Sequence, residues 1–273
     1  MQYRQVKVLG GKGEDPDRFR AALRGIAVDD RGQIYAAGDS EIKVFDAAGA
    51  CTLRWRTAKP PISVAVAPDG SVYAGETGQI EIFDATGKRI DVWRDEKLLG
   101  LVTAICVTSD SVLAGDAADR AIHRFDRHGK FLNTIGKDNP VQGLLTCNGV
   151  VNFAVDARGV IHVANPGKHR VEQYTPDGRL LGHIGRFDGV DPAGFTGCCN
   201  PTNVAVGDCL YTAEKAFPRV KAYDFSGQLL AVIAEDAFEA NCRNMSIAVD
   251  AKRRVYAVDT VKLAIFVFEE VAG

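Results

Sequence analysis

No charge of either sign dominates this chain. Thirty-three Lys and Arg stand against 35 Asp and Glu, a formal net charge of −2, so nothing favours a nucleic acid or an anionic membrane surface as partner. No apolar run approaches the roughly 20 residues a membrane-crossing helix needs, and no membrane span is expected. The opening MQYRQVKVLGG lacks the basic and apolar regions of a signal peptide. The expected compartment is therefore cytoplasmic, or periplasmic or extracellular if a leader has been removed. Helical periodicity is missing over any useful length, which argues against helical and α/β classes. Cysteine is sparse: seven in 273 residues is neither a disulfide scaffold nor a zinc-finger spacing. The five histidines are scattered along the chain and form no cluster.

What is present is a repeat. An aromatic anchor recurs at Phe45, Phe83, Phe125, Tyr174 and Tyr223. A glycine follows each at Gly49, Gly87, Gly129, Gly178 and Gly227, then a large apolar residue at Trp55, Trp93, Ile135, Ile184 and Ile233. Segments such as VFDAAG, IFDATG and AYDFSG read as a strand, a tight turn closed by glycine, and another strand. Six further segments precede them, among them GIAVDDRGQIYAA and SVAVAPDGSVYAG, with register valines at 28, 66, 107, 155, 206 and 249. Each unit thus holds four strands, and radial repetition of such units makes a β-propeller. The fold expected is all-β: a single domain over 1–273, a six-bladed β-propeller of four-stranded blades. The last unit ends before its outer strand, while VKVLGG near the N-terminus matches the outer-strand ends LNTIGK and LLGHIGR. The N-terminal strand is therefore expected to join the last blade and close the ring, protecting otherwise exposed edges.

The copy NFAVDARGVIHVANPGKHRVEQYTPDGRLLGHIG resembles the repeat of the NHL propeller family: an apolar-Asp-Gly strand pair, an Asp or Asn with a following Arg, then an aromatic-Asp-Gly turn. The resemblance extends over essentially the whole chain. That family includes ubiquitin-ligase accessory domains that bind RNA or protein and lyases that use metal; related six-bladed propellers include lactonases. A metal lyase of this kind would gather several histidines on the axis, and no such set can be placed here. The fold does not choose among these activities.

In a propeller the first strand of each blade faces the axis. The loops leading into that strand and those between the second and third strands share one rim, where ligands usually bind. Two sets of candidates fall there. Cys147 and Cys198 lie eight residues ahead of their register valines, and Cys199 and Cys242 lie seven ahead. Four cysteines thus occupy matching positions in three consecutive blades. Four thiolates suit Cu(I) or Zn(II); a redox pair, either vicinal or between blades, and plain packing are the other readings. The second set is an acidic ring in the loops between second and third strands: Asp116, Asn165, Glu214 and Asp259, with Asp39 and Glu76 nearby. Capping of their own turns is the bland role for such residues. Arg170 and Arg219 occupy equivalent positions and are expected to pair between blades.

The leading expectation is a propeller that binds a metal or a small-molecule ligand through the cysteine-lined rim, with redox activity as an option. The first alternative is a lactonase- or esterase-like hydrolase, with a divalent metal such as calcium held by Asn165, Asn203, Glu214 and Asp259 and polarising a carbonyl. The second is a platform for a protein partner at the channel mouth, without catalysis.

Overall fold

The computed structural model describes residues 1–137 and 143–271. Strands β1 to β24 form six four-stranded antiparallel sheets, with no α-helix among the described residues. Blade one holds β2–β5 (residues 25–56), blade two β6–β9 (63–94) and blade three β10–β13 (102–135). Blade four holds β14–β17 (153–184) and blade five β18–β21 (203–234). Blade six holds β22–β24 (247–270) and takes β1, Tyr3–Gly10, as its outer strand.

The register repeats from blade to blade. Val28, Val66, Val107, Val155, Val206 and Val249 pair with Ile34, Val72, Val112, Ile161, Leu210 and Val255 on the second strands. Those residues pair in turn with the aromatic anchors, and Phe268 proves to be the sixth anchor. Apolar residues from neighbouring sheets interdigitate, so each buried cluster belongs to a blade–blade interface rather than to one blade. Four-stranded sheets with two apolar faces cannot bury them alone; radial stacking does so.

Closure by β1 follows the same logic. In the turns after the third strands, Gly87 and Gly129 have positive φ (+82° and +83°). A Cβ there would stand 2.6 Å from Trp55 and 2.8 Å from Trp93, the outer-strand residues of the preceding blades. At Gly49, φ +97°, the residue in that position is Leu9 of β1, at 2.5 Å. Leu9 is thus the blade-six equivalent of Trp55 and Trp93, which pins the register of the N-terminal strand.

Candidate functional site

The inner strands of all six blades enclose a cavity of about 590 Å³ that opens at the rim of lead-in loops. Its wall is built from small apolar side chains, with a ring of polar ones: Ser63, Thr103, Asn152, Asn203 and Ser246, one each from blades two to six. Each reaches to the adjacent blade. Ser63 Oγ donates to the Val102 carbonyl (2.9 Å) and Thr103 Oγ1 to that of Val151 (2.8 Å). Asn152 Oδ1 accepts from the Val204 amide (2.7 Å), and Ser246 Oγ accepts from that of Ile26 (3.2 Å). With its amide assigned to satisfy its neighbours, Asn203 donates to the Met245 carbonyl (3.3 Å) and accepts from Asn152 (3.1 Å). Blade one has Gly25 at this place; a Cβ there would stand 3.0 Å from Ser63 Cα, so the backbones themselves close the belt.

Among the described lining residues the ionisable side chains are Arg24 and Arg243, both exposed at the rim, and the thiol of Cys106. Neither guanidinium has a hydrogen bond or ion pair among the described residues. Burial pushes the Cys106 thiol up to about 11, so the wall presents it neutral. Carboxylates and imidazoles are absent from the described lining.

The acidic ring lies behind this wall. Asp259 accepts from the Glu239 amide with one oxygen and from Val261 and Lys262 with the other, all at 2.8 Å. Asp116 accepts from the Gly100 and Leu101 amides (2.9 Å each) and from Ala118 (2.8 Å). Asp39 receives the Arg20, Ala21 and Ala22 amides, and Asn165 Oδ1 the Leu145 amide (3.0 Å). These side chains therefore do more than cap their own turns: they hold the lead-in loop of the same blade. Glu214 departs from the pattern. It pairs with Lys221 (2.6 Å) and Arg219 (3.1 Å) inside blade five. Asn200 takes over the loop clamp there, accepting from the Lys215 amide (2.8 Å) and donating to the Thr196 carbonyl (2.7 Å). Arg170 likewise pairs with Glu172 (2.5 Å) within its own blade, so neither arginine bridges blades through these partners. Of the ligand set drawn from Asn165, Asn203, Glu214 and Asp259, only Asn203 lines the cavity.

The loop-facing position on the third strands went unrecognised in the sequence. Lys43, Glu81 and Lys221 occupy it in blades one, two and five. Lys43 Nζ donates to the Pro16 carbonyl (2.8 Å), and Lys221 Nζ to those of Pro192 (3.0 Å) and Gly194 (2.7 Å). The signal was a shared motif in the two loops, Asp15-Pro16 to Phe19 and Asp191-Pro192 to Phe195.

In blade two the position carries Glu81, beside Glu76. Glu76 is fully buried; burial pushes its carboxyl up to about 7, the Gln79 hydrogen bond opposes this, and the charge of Glu81 adds to it. Glu81 lies below the ordinary range despite burial, held there by the Ala58 amide and Arg89. A raised acid favours the fold while protonated. Its contribution is complete below the unfolded value near 4.5 and is lost as pH climbs towards and through 7. Glu76→Gln, which mimics the neutral acid, should match the parent at pH 4.5 and exceed it by about 2 kcal/mol at pH 8. Urea unfolding at the two pH values measures this; equal slopes of stability against pH in the two proteins would remove the assignment.

The four rim cysteines do not gather into one set. Cys147 and Cys199 are joined in a disulfide between the lead-in loops of blades four and five, Cα–Cα 6.4 Å. Cys198 is an exposed free thiol, with its carbonyl oxygen 4.0 Å from the Cys147 sulfur. Cys242 is buried inside blade six, where its sulfur accepts from the Thr260 amide (3.4 Å) and lies 3.7 Å from the Val258 carbonyl. Burial raises its thiol, the reverse of what a thiolate ligand needs. Among the described residues no group of three or more His, Cys, Asp or Glu side chains is placed to hold a metal ion. The expectation of a Cu or Zn centre at Cys147, Cys198, Cys199 and Cys242 is therefore not supported. Equal register places the backbones alike, but side-chain direction sends Cys242 inward.

No protein-family model matches the chain, and no curated protein sequence does. Among solved structures it is similar to a streptogramin B lyase, TM-score 0.63 at 12% identity over 90% of this chain and 93% of that one. The selenomethionine-substituted virginiamycin B lyase from Staphylococcus aureus aligns with TM-score 0.64 at 11% identity, over 99% of this chain and 100% of that one. The WD40 β-propeller domain of Doa1 gives 0.63 at 12% identity, over 91% of this chain and 79% of that one. At such identities the likeness is one of fold, and the fold it shares with this chain is the β-propeller.

Proposed function

We propose that this chain is a binding propeller, NHL-type in its repeat, that receives a small anionic ligand at the mouth of its channel. The observation carrying this reading is the pair Arg24 and Arg243. They are the charged residues of a 590 Å³ cavity, and their guanidiniums are unengaged among the described residues. Two guanidiniums at the mouth of a cavity whose wall carries no carboxylate among the described residues suit a carboxylate or phosphate, which each can grip through paired N–H donors. The described wall offers no acid or base for turnover, which favours binding over the hydrolase reading. Calorimetric titration with citrate and with inorganic phosphate tests the proposal. The parent protein should bind at least one of the two, Arg24→Ala/Arg243→Ala about tenfold more weakly, with the difference shrinking in high salt. Equal affinities for parent and double variant, or no binding of either anion by the parent, would sink it.

A second reading, a platform for a protein partner, is favoured by Phe187, Val190 and Phe217. They are 62%, 95% and 76% exposed in the rim loops of blade five. It makes no use of the arginines, so the same double variant separates the two.

A further inference from the structure

The vicinal pair Cys198–Cys199 stands against a bridge that already contains one of its members. Cys199 is 6% exposed, whereas Cys147 and Cys198 both face solvent. The Cys147 sulfur lies by the carbonyl of Cys198, that is, by the peptide link joining the two vicinal residues. Neighbouring Cα atoms are about 3.8 Å apart, so the Cys198 side chain starts from the chain position next to the bonded one.

Neither loop needs the bridge to stay in place. On the blade-five side, the buried Asn200 ties residues flanking the pair to Thr196 and Lys215. On the blade-four side, Asn165 holds Gly143 and Leu145, and Asn148 donates to Asn244 of blade six (3.0 Å). The loops that carry the sulfurs are thus held by asparagine clamps that do not include the bond between them.

We propose that Cys147, Cys198 and Cys199 form a thiol–disulfide exchange site in which the single inter-blade bridge passes between Cys147–Cys199 and Cys147–Cys198. The Cys198 thiol gives its proton to solvent, and its thiolate attacks the Cys147 sulfur. The Cys147–Cys199 bond breaks, its electron pair leaves on the Cys199 sulfur, and that thiolate takes up a proton from solvent. One disulfide and one thiol enter and leave, so no oxidant or reductant is consumed. The exchange carries the bridge from a half-hidden position to one between two exposed residues. There a small dithiol reaches it, opens it to two thiols and is itself oxidised to a disulfide. Cys198 is thus the residue through which an external dithiol gains the bridge. The site does not depend on the ligand proposed for the channel.

Dithiothreitol is the probe. Aliquots are acid-quenched, alkylated and read by mass spectrometry for loss of the bridge. The parent bridge should open at least about tenfold faster than that of Cys198→Ser, where only direct attack on the half-hidden bond remains. Cys199→Ser should still be oxidised, with its bridge located at Cys147–Cys198 by tandem mass spectrometry. Both variants should melt with the parent, since the asparagine clamps are intact. Equal opening rates in parent and Cys198→Ser, or Cys147 and Cys198 both free in oxidised Cys199→Ser, would overturn the proposal.

Discussion

A chain lacking residues 1–10 should fail to reach the cooperative fold of the parent. Strand β1 pairs with β24, Ala264–Glu270, from Tyr3 opposite Glu270 to Gly10 opposite Ala264. Removing it strips a ladder of backbone hydrogen bonds and exposes the edge of β24, whose Ile265 and Phe266 are buried. It also removes Leu9, 5% exposed and seated over Gly49 of blade one. Leu9→Ala alone should cost about 2–4 kcal/mol. The full deletion loses that, the ladder, and the chain continuity by which β1 ties blade six to blade one. The sum reaches the scale of a whole domain's stability, about 5–15 kcal/mol. Circular dichroism melts and gel filtration report the outcome: loss of a sharp transition together with aggregation through the bare edge. A truncated protein that melts as a monomer at the parent temperature would refute closure by β1.

The second large effect is expected at Lys221. Its ammonium is fully buried, 2.6 Å from Glu214 and 4.6 Å from the Phe195 ring, and it donates to two loop carbonyls. Burial lowers its pKa and the Glu214 charge works against that. Lys221→Met leaves the buried Glu214 with Arg219 as its remaining partner and orphans the Pro192 and Gly194 carbonyls. Breaking a buried pair from one side costs about 3–5 kcal/mol. Pairing it with Glu214→Gln should recover part of the loss, because the stranded charge goes with it. Lys43→Met in blade one should cost less, since Glu41 is 19% exposed and water can solvate it. Guanidinium unfolding gives all three values; a loss below about 1 kcal/mol for Lys221→Met would show that the ammonium is not the anchor of this loop.

The blades were legible because each is set by local chemistry. The glycine at Gly87 or Gly129 is demanded by a positive φ and by the indole above it, and the aromatic anchors are demanded by the interface they fill. Closure was legible for the same reason: Leu9 obeys the rule that Trp55 and Trp93 obey. The site was legible only as far as register goes. Register brought the loops of Cys147 and Cys199 to one seam, and the structure joins them. It said nothing of side-chain direction, which turned Cys242 into blade six and turned Asp39, Asp116 and Asp259 back onto their lead-in loops. The belt of Ser63, Thr103, Asn152, Asn203 and Ser246 escaped notice because its members differ in type. They stand three residues ahead of the register valine, four in blade three, where the strand carries a bulge. Their shared task, reaching the next blade, is a long-range contact that no window of sequence contains.

That belt divides the molecule into a chassis and its fittings. The hydroxyls and amides of the bore are already occupied in holding neighbouring blades. A new ligand preference written into the bore would therefore have to be written against the ring's own integrity. Apart from the Cys147–Cys199 bridge and the Asn148–Asn244 hydrogen bond, the described rim loops carry no such obligation. Each hangs from an anchor below it, such as Lys43, Asn165, Asn200 or Asp259, and its outward side chains are free to vary. Recognition can then drift from loop to loop while the frame that presents it stays the same.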